Sequence, residues 1–173
     1  MENMYKKSAM ALLVMAMGYG SAQADPVNIN ITGNVVSSPC TVNNNNSNLN
    51  VDLGQNIQAG DLATPGAGST LVPFNLVLSA CPTGTSNVKV TFTGTADTTS
   101  TTMYKNTGSA TNLAVELSQQ STGTILGNNS FLYQPVLADK TVTYALNARA
   151  VSATGDVMPG NISSVVQANF TYN

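Results

Sequence analysis

The sequence predicts an all-β fold of the sandwich type. Short runs in which apolar and polar residues alternate, or in which β-branched residues are concentrated, follow one another along the chain. Polar stretches rich in Gly, Pro, Asn and Ser separate these runs, and amphipathic helical spacing is almost absent after the N-terminal segment. Alternation of period two between turn signals is typical of half-buried strands in two packed sheets.

The predicted strands lie, in order, at residues 27–36, 49–53, 70–78, 88–94, 113–117, 125–126, 141–151 and 167–173. Residues of one parity are expected to face the core in the longer runs: Leu113, Val115 and Leu117; Val142, Tyr144, Leu146, Ala148 and Ala150; Ile162, Val166, Ala168, Phe170 and Tyr172.

The connections between these strands carry their own signals. Residues 54–68 are rich in Gly, Pro and Ala and predict an irregular connection with a short helical turn. Pro73 cannot donate a ladder hydrogen bond, so its strand should have an edge or a bulge there. Residues 96–108 form a predicted Thr- and Ser-rich loop, and Gly123 predicts a hairpin.

The N-terminal segment has the features of a secretory signal peptide. Two lysines supply positive charge, an apolar core follows over residues 9–17, and small residues precede a cleavage point after Ala24. This core is too short to cross a bilayer as a helix, and an uncleaved N-terminal anchor is the alternative. We therefore assign residues 1–24 to the signal, and residues 25–173 suffice for one domain with a sizeable core.

The composition argues against nucleic acid as a partner. Charged residues make up only 8% of the 173 residues, and six Lys and Arg against eight Asp and Glu give a net charge of −2. A protein that binds nucleic acid needs a basic patch to neutralise phosphates, and this chain has none. A polar surface with so few charges suits a protein that is built into an assembly.

Cys40 and Cys81 are the only cysteines of the chain. A secreted protein meets an oxidising compartment, so a single disulfide between them is expected. A metal site or a reactive thiol is the alternative, although the chain has no His and no Cys-x-x-Cys motif.

Catalytic chemistry has little support in the sequence. Without His, neither a Ser-His nor a Cys-His pair can form. The carboxylates are scattered, and a pair assembled in space is the remaining route to a hydrolase. No phosphate-binding loop or calcium-binding loop occurs. We expect no enzymatic activity, no cofactor, no metal and no small-molecule substrate.

The two terminal runs suggest strand exchange. The run at residues 27–36 has no hairpin partner before it, and the run at residues 167–173 has none after it. Together they suggest a sheet that lacks one strand and a loose strand that serves another sheet. The alternative is a complete sandwich in which residues 27–36 pair within their own chain.

Several ordered motifs resemble the type 1 fimbrial subunits of the chaperone–usher pathway, and most of all the minor adaptor subunits of the tip. The motifs are Gly-x-Val-Val-x-x-Pro-Cys at residues 33–40, Val51–Gly54, Ser79–Pro82, Tyr104–Asn106, Gly160 and the penultimate Tyr172, together with the lone cysteine pair. The resemblance covers essentially all of residues 25–173.

The resemblance implies an incomplete immunoglobulin-like sandwich of six strands that lacks its seventh. Residues 25–37 would be a donor-strand extension, and residues 38–173 the pilin domain. Addition of a strand at an open sheet edge is a known recognition mode, with pilus subunits among its examples. The implied donor positions are Val27, Ile29, Ile31, Gly33 and Val35. The implied edge for the chaperone and the next subunit comprises Gly160, Ala168, Phe170 and Tyr172.

The function implied is that of a structural fimbrial subunit of minor or adaptor type, which polymerises by donor-strand exchange and contributes to cell adhesion. Its implied partners are a periplasmic chaperone, an outer-membrane usher and neighbouring subunits, on the way through the periplasm to the surface of a Gram-negative bacterium. One alternative is a major rod subunit. Another is a secreted carbohydrate-binding module, for which Tyr104 and Tyr133 are the candidate loop aromatics.

Overall fold

The computed structural model describes residues 28–35 and 38–173, which belong to two separate units. Residues 28–35 contain no regular secondary structure. The predicted signal peptide and Val27 lie outside the described residues. Among the residues that are described, no helix is long and apolar enough to cross a membrane.

Residues 38–173 contain eight strands and two short 3₁₀ turns. The strands are β1 (Thr41–Val42), β2 (Val72–Ser79), β3 (Asn87–Gly94), β4 (Tyr104–Lys105), β5 (Leu113–Gln119), β6 (Phe131–Pro135), β7 (Val142–Ser152) and β8 (Val166–Tyr172). The turns are Asn43–Asn45 and Ala59–Leu62. Because β1 and β4 have only two residues each, six strands of substantial length remain.

The strands form two antiparallel sheets that pack as a sandwich. The larger sheet has the order β1-β2-β7-β5-β4, and the smaller sheet has the order β6-β3-β8. The residues predicted on the inner faces of β5 and β7 are buried, and those of β8 are half-buried. The all-β, immunoglobulin-like sandwich is therefore confirmed, and its core lies between the two sheets.

Two predicted features of the larger sheet are confirmed. Cys40 and Cys81 form a disulfide that joins the residue before β1 to a residue just after β2. Pro73 pairs with Asn147 of β7 on one side, while β1 covers only the far end of β2 at Leu78 and Ser79. Pro73 therefore lies on an open edge, where its missing N–H leaves no ladder acceptor unpaired.

The structure corrects several predicted elements. Residues 49–53 form no strand, because no ladder partner lies beside them among the described residues. Of residues 125–126, only Ile125 makes an isolated bridge, to Ser118, across the hairpin at Gly123. The strands β1, β4 and β6 were not predicted. Both β1 and β4 are only two residues long, and β6 presents two exposed aromatic residues instead of a simple apolar pattern.

Candidate functional site

One edge of the smaller sheet is open along β8. Seven residues of β8 pair with β3, from Val166 opposite Gly94 to Tyr172 opposite Val88. The order β6-β3-β8 leaves the opposite edge of β8 without a strand among the described residues. Its backbone N–H and C=O groups on that side are thus available to another strand, which is the usual liability of an open edge.

A groove begins at the first residue of β8, Val166, and runs beside residues 157–164 that precede this strand. A segment without regular strand structure forms its far wall. Residues 49–55 and 57–60 line that wall, with Val51, Leu53 and Ile57 half-buried and their neighbours exposed. This alternation is the one that predicted a strand at residues 49–53. The segment keeps the strand's side-chain pattern but has no ladder partner among the described residues.

The floor of the groove is the core itself. Side chains of β5 and β7 form it, including Leu113, Val115, Leu117 and Ala148, and the groove has a volume of about 900 Å³. Asp52 is the only ionisable residue among those that line it, and its carboxylate accepts hydrogen bonds from the Gly54 amide and the Gln55 side chain. A cavity with an aliphatic floor and so little charge suits apolar side chains.

Gly160 lies in the near wall of the groove, just before β8. A Cβ atom at this position would meet the backbone of Ser109 and Ala110 at 2.4–2.8 Å. No side chain fits there without moving the main chain, so glycine is required for the wall to pack against the segment before β5. The neighbouring Ile162 continues the wall, with its side chain half-buried in the core.

The other three predicted edge residues lie on β8 beyond the enclosed part of the groove. Ala168, Phe170 and Tyr172 are half-buried and pack against the core. The centroids of the Phe170 and Tyr144 rings lie 6.4 Å apart. Burial raises the pKa of the Tyr172 phenol, and a hydrogen bond with the Cys40 backbone lowers that pKa by a smaller amount. These side chains point inward from the strand whose free edge continues the groove.

The predicted donor residues have a different environment. The exposed fractions of Ile29, Ile31 and Val35 are 82%, 90% and 98%. A Cβ atom on Gly33 would meet no atom within 4 Å. The described part of this run therefore exposes its apolar side chains, and Val27 lies outside the described residues.

The sequence did not identify the far wall of the groove as part of the site. The alternation at residues 49–53 was visible, but it predicted a paired strand and gave no sign that a gap lies beside it. The near wall was easier to predict, because the inward-facing parity of β8 continues back to Ile162.

Comparisons with known proteins show the family and the fold of the chain. A family model described as "Fimbrial protein" matches residues 29–173. Protein FimG of Escherichia coli K12 is 33% identical over 97% of this chain and 98% of its own length. The S-fimbrial adhesin protein SfaS of Escherichia coli strain 536 is 38% identical over 88% of each chain. The crystal structure of the P pilus rod subunit PapA superposes with a TM-score of 0.63 at 19% identity, covering 79% of this chain and all of that one.

Proposed function

This chain belongs to the fimbrial protein family and is a chaperone–usher fimbrial subunit, and from this premise we propose how it is joined to its neighbours. Its groove receives an extended strand from another protein, and its own residues 25–37 are lent in turn to a neighbouring subunit. The proposed role is structural and requires no catalytic group.

The observation that carries this proposal is the open groove beside β8. A strand laid along the free backbone edge of β8 and continued past Val166 would enter the groove and cover the floor around Val115 and Leu117. The added strand would extend the smaller sheet, which has three strands among the described residues. Strand addition gives affinity through main-chain hydrogen bonds and specificity through alternate side chains.

The N-terminal run supports the proposal that this chain lends a strand to a neighbouring subunit. Its apolar residues alternate with Asn and Thr, and those within the described part are almost fully exposed. Burial of Val27, Ile29, Ile31 and Val35 in a partner's groove would contribute roughly 6–12 kcal/mol before ordering costs, at about 1.5–3 kcal/mol for each side chain. Gly33 would allow close approach of the two backbones at its position.

We place the subunit at a minor, adaptor position in a fimbrium that contributes to cell adhesion. The similarity of its ordered motifs to tip subunits supports this placement over the rod, and one relative carries "adhesin" in its name. Members of this family occur in surface pili of Gram-negative bacteria. The proposed route runs through the periplasm, where a chaperone strand fills the groove before the usher presents the subunit to its neighbour.

A peptide that fills the groove tests the proposal. The domain without its extension, residues 38–173, is mixed with a synthetic peptide of residues 27–36, and thermal unfolding is followed by circular dichroism. We expect a higher Tm with increasing peptide concentration, because the peptide binds only the folded domain. A control peptide with Ser in place of Ile29 and Ile31 should have no such effect. Equal Tm with either peptide and without peptide would contradict the proposal.

A further inference from the structure

We propose that the outer face of the smaller sheet binds a glycan that carries an acidic group. The binding surface consists of Phe131 and Tyr133 on β6, Lys89 and Thr91 on β3, and Thr171 on β8, and is termed the aromatic–lysine patch. It lies on the side of the sheet that faces away from the core and shares no residue with the lining of the groove.

Two exposed aromatic rings form one side of the patch. Phe131 and Tyr133 point outward from β6 while Leu132 between them packs against the core. Their exposed fractions are 51% and 56%, and their ring centroids lie 5.5 Å apart in an edge-to-face arrangement. Every other Phe and Tyr among the described residues is buried or half-buried. Two large aromatic side chains kept in solvent on one strand are a feature that the sandwich does not need for its own packing.

A cation stands over these rings. The Lys89 Nζ atom lies 4.4 Å from the centroid of the Phe131 ring and 5.8 Å from that of Tyr133. Within residues 38–173 the ion pair found is between Arg149 and Glu116, so no carboxylate neutralises Lys89 there. The rings thus hold a lysine ammonium whose charge is available to an anion from solvent.

Hydroxyl and amide side chains extend the patch across the sheet. Thr91 lies opposite Phe131 on one side and Asn169 on the other, and Lys89 lies between Tyr133 and Thr171. Across the outward face of the smaller sheet, β6 therefore carries the aromatic rings, β3 carries the lysine ammonium and Thr91, and β8 carries hydrogen-bonding groups. These groups can donate to and accept from the hydroxyls of a sugar.

The size and chemistry of the patch favour a glycan over a protein. A stable protein interface buries about 800 Å² on each partner around an apolar centre. Two aromatic rings with polar neighbours offer much less apolar area. A sugar ring presents C–H groups that pack on an aromatic face, hydroxyls that match the threonines, and, where an acid is present, a partner for Lys89 through a charge-assisted hydrogen bond.

An oligosaccharide array tests this proposal on the full-length secreted chain. The chain is displayed in several copies on streptavidin, because linked copies strengthen weak binding. The array carries matched neutral, carboxylate-bearing and sulfated oligosaccharides. We expect retention of one of the two acidic sets above the neutral set, and the array shows whether carboxylate or sulfate is the preferred acid.

Three variants assign the binding to the patch. Lys89→Gln should lower retention of acidic glycans about tenfold, as expected for the loss of one charge-assisted hydrogen bond, and leave neutral glycans unchanged. Tyr133→Ser should lower retention of both. Val77→Ser, an exposed position on the outer face of β2, is the matched control and should bind like the unchanged chain. Circular dichroism spectra and Tm values confirm that each variant is folded.

Three outcomes would overturn the proposal. One is no retention of any glycan by the unchanged chain. Another is retention that Lys89→Gln and Tyr133→Ser leave unaltered. The third is self-association of the purified chain that Tyr133→Ser abolishes while no glycan is retained, which would assign the patch to a protein contact.

Discussion

At the scale of single residues, two buried tyrosines of the core differ in the environment of their hydroxyl groups. The Tyr144 hydroxyl donates a hydrogen bond of 2.7 Å to the backbone oxygen of Val88 and so links the two sheets. The Tyr104 hydroxyl is equally buried and has no hydrogen-bond partner among the described residues. Burial raises the pKa of both phenols, that of Tyr104 to about 12. Both rings therefore stay neutral in the folded protein near neutral pH.

Removal of each hydroxyl should have opposite consequences for stability. Tyr144→Phe deletes a buried hydrogen bond and should lower the free energy of unfolding by about 1–2 kcal/mol. Tyr104→Phe deletes an unpaired buried group and should leave the free energy of unfolding unchanged or raise it by up to about 1 kcal/mol. Urea unfolding of both variants under one set of conditions measures the difference. Equal losses in the two variants would show that Tyr104 has a hydrogen-bond partner in solution.

At the scale of elements, β5 is buried on both faces. The alternation of its sequence predicted that only Leu113, Val115 and Leu117 would be covered, yet Glu116 on the other face is also buried. Arg149 of β7 lies opposite Glu116 and donates to both carboxylate oxygens, from Nε at 3.0 Å and Nη2 at 2.9 Å. A paired, doubly hydrogen-bonded carboxylate is the form in which a buried Glu is tolerated.

The cover over this ion pair comes from the connection before β2. Gly68 bridges Val151 of β7, and a Cβ atom at Gly68 would lie 2.9 Å from the Arg149 guanidinium. The sequence predicted residues 54–68 as an irregular connection, which is correct for most of their length. It could not show that the final part lies against β7, because that contact depends on backbone pairing at Gly68 and on no side-chain pattern.

A double-mutant cycle should show that Glu116 and Arg149 are coupled. Arg149→Met leaves the Glu116 carboxylate buried without its partner and should lower the free energy of unfolding by about 2–4 kcal/mol. This loss is smaller than for a fully buried pair, because the Arg149 side chain is 32% exposed. Replacement of both residues, Glu116→Leu with Arg149→Met, should recover most of this loss. Lys105→Met, which removes an exposed cation from the same sheet, is the control and should cost less than about 0.5 kcal/mol. Additive costs in the double variant would contradict the coupling.

Strand prediction succeeded where one face of a strand meets the core. The inward residues of β7 and β8 have the predicted parity, because a period-two pattern fixes which face is covered. Strand prediction failed for β4, where Tyr104 was predicted in an exposed loop and is instead fully buried. Two residues give no period to detect, so the pairing of β4 with β5 could be seen only in three dimensions.

At the scale of the whole molecule, the proposed strand exchange would account for both terminal runs. The last strand begins beside an open groove, and the segment at residues 28–35 exposes the kind of apolar side chains that such a groove accepts. From the two runs, the sequence predicted a sheet that lacks one strand and a loose strand that serves another sheet. It did not predict the groove itself, because the groove has residues 49–55 and 57–60 as its far wall, and these are remote in sequence from β8.

A single substitution should separate donation of the extension from folding of the subunit. Gly33→Leu places a side chain where the proposed donor strand approaches the partner's backbone, so we expect the variant to join its neighbours poorly or not at all. Its own domain should keep an unchanged Tm, because a Cβ atom at Gly33 has no atom within 4 Å. The measurement is incorporation of the subunit into fimbriae sheared from bacteria, together with the amount of folded subunit in the periplasm.

The matched control for this substitution is Asn34→Leu. It adds the same side chain one residue later, where the alternation of the strand directs it away from the groove. This variant should be incorporated normally, whereas Gly33→Leu should accumulate as folded subunit outside the fimbriae. Normal incorporation of both variants would show that residue 33 does not face a partner's groove, and equal failure of both would show that the added bulk acts regardless of the face on which it lies.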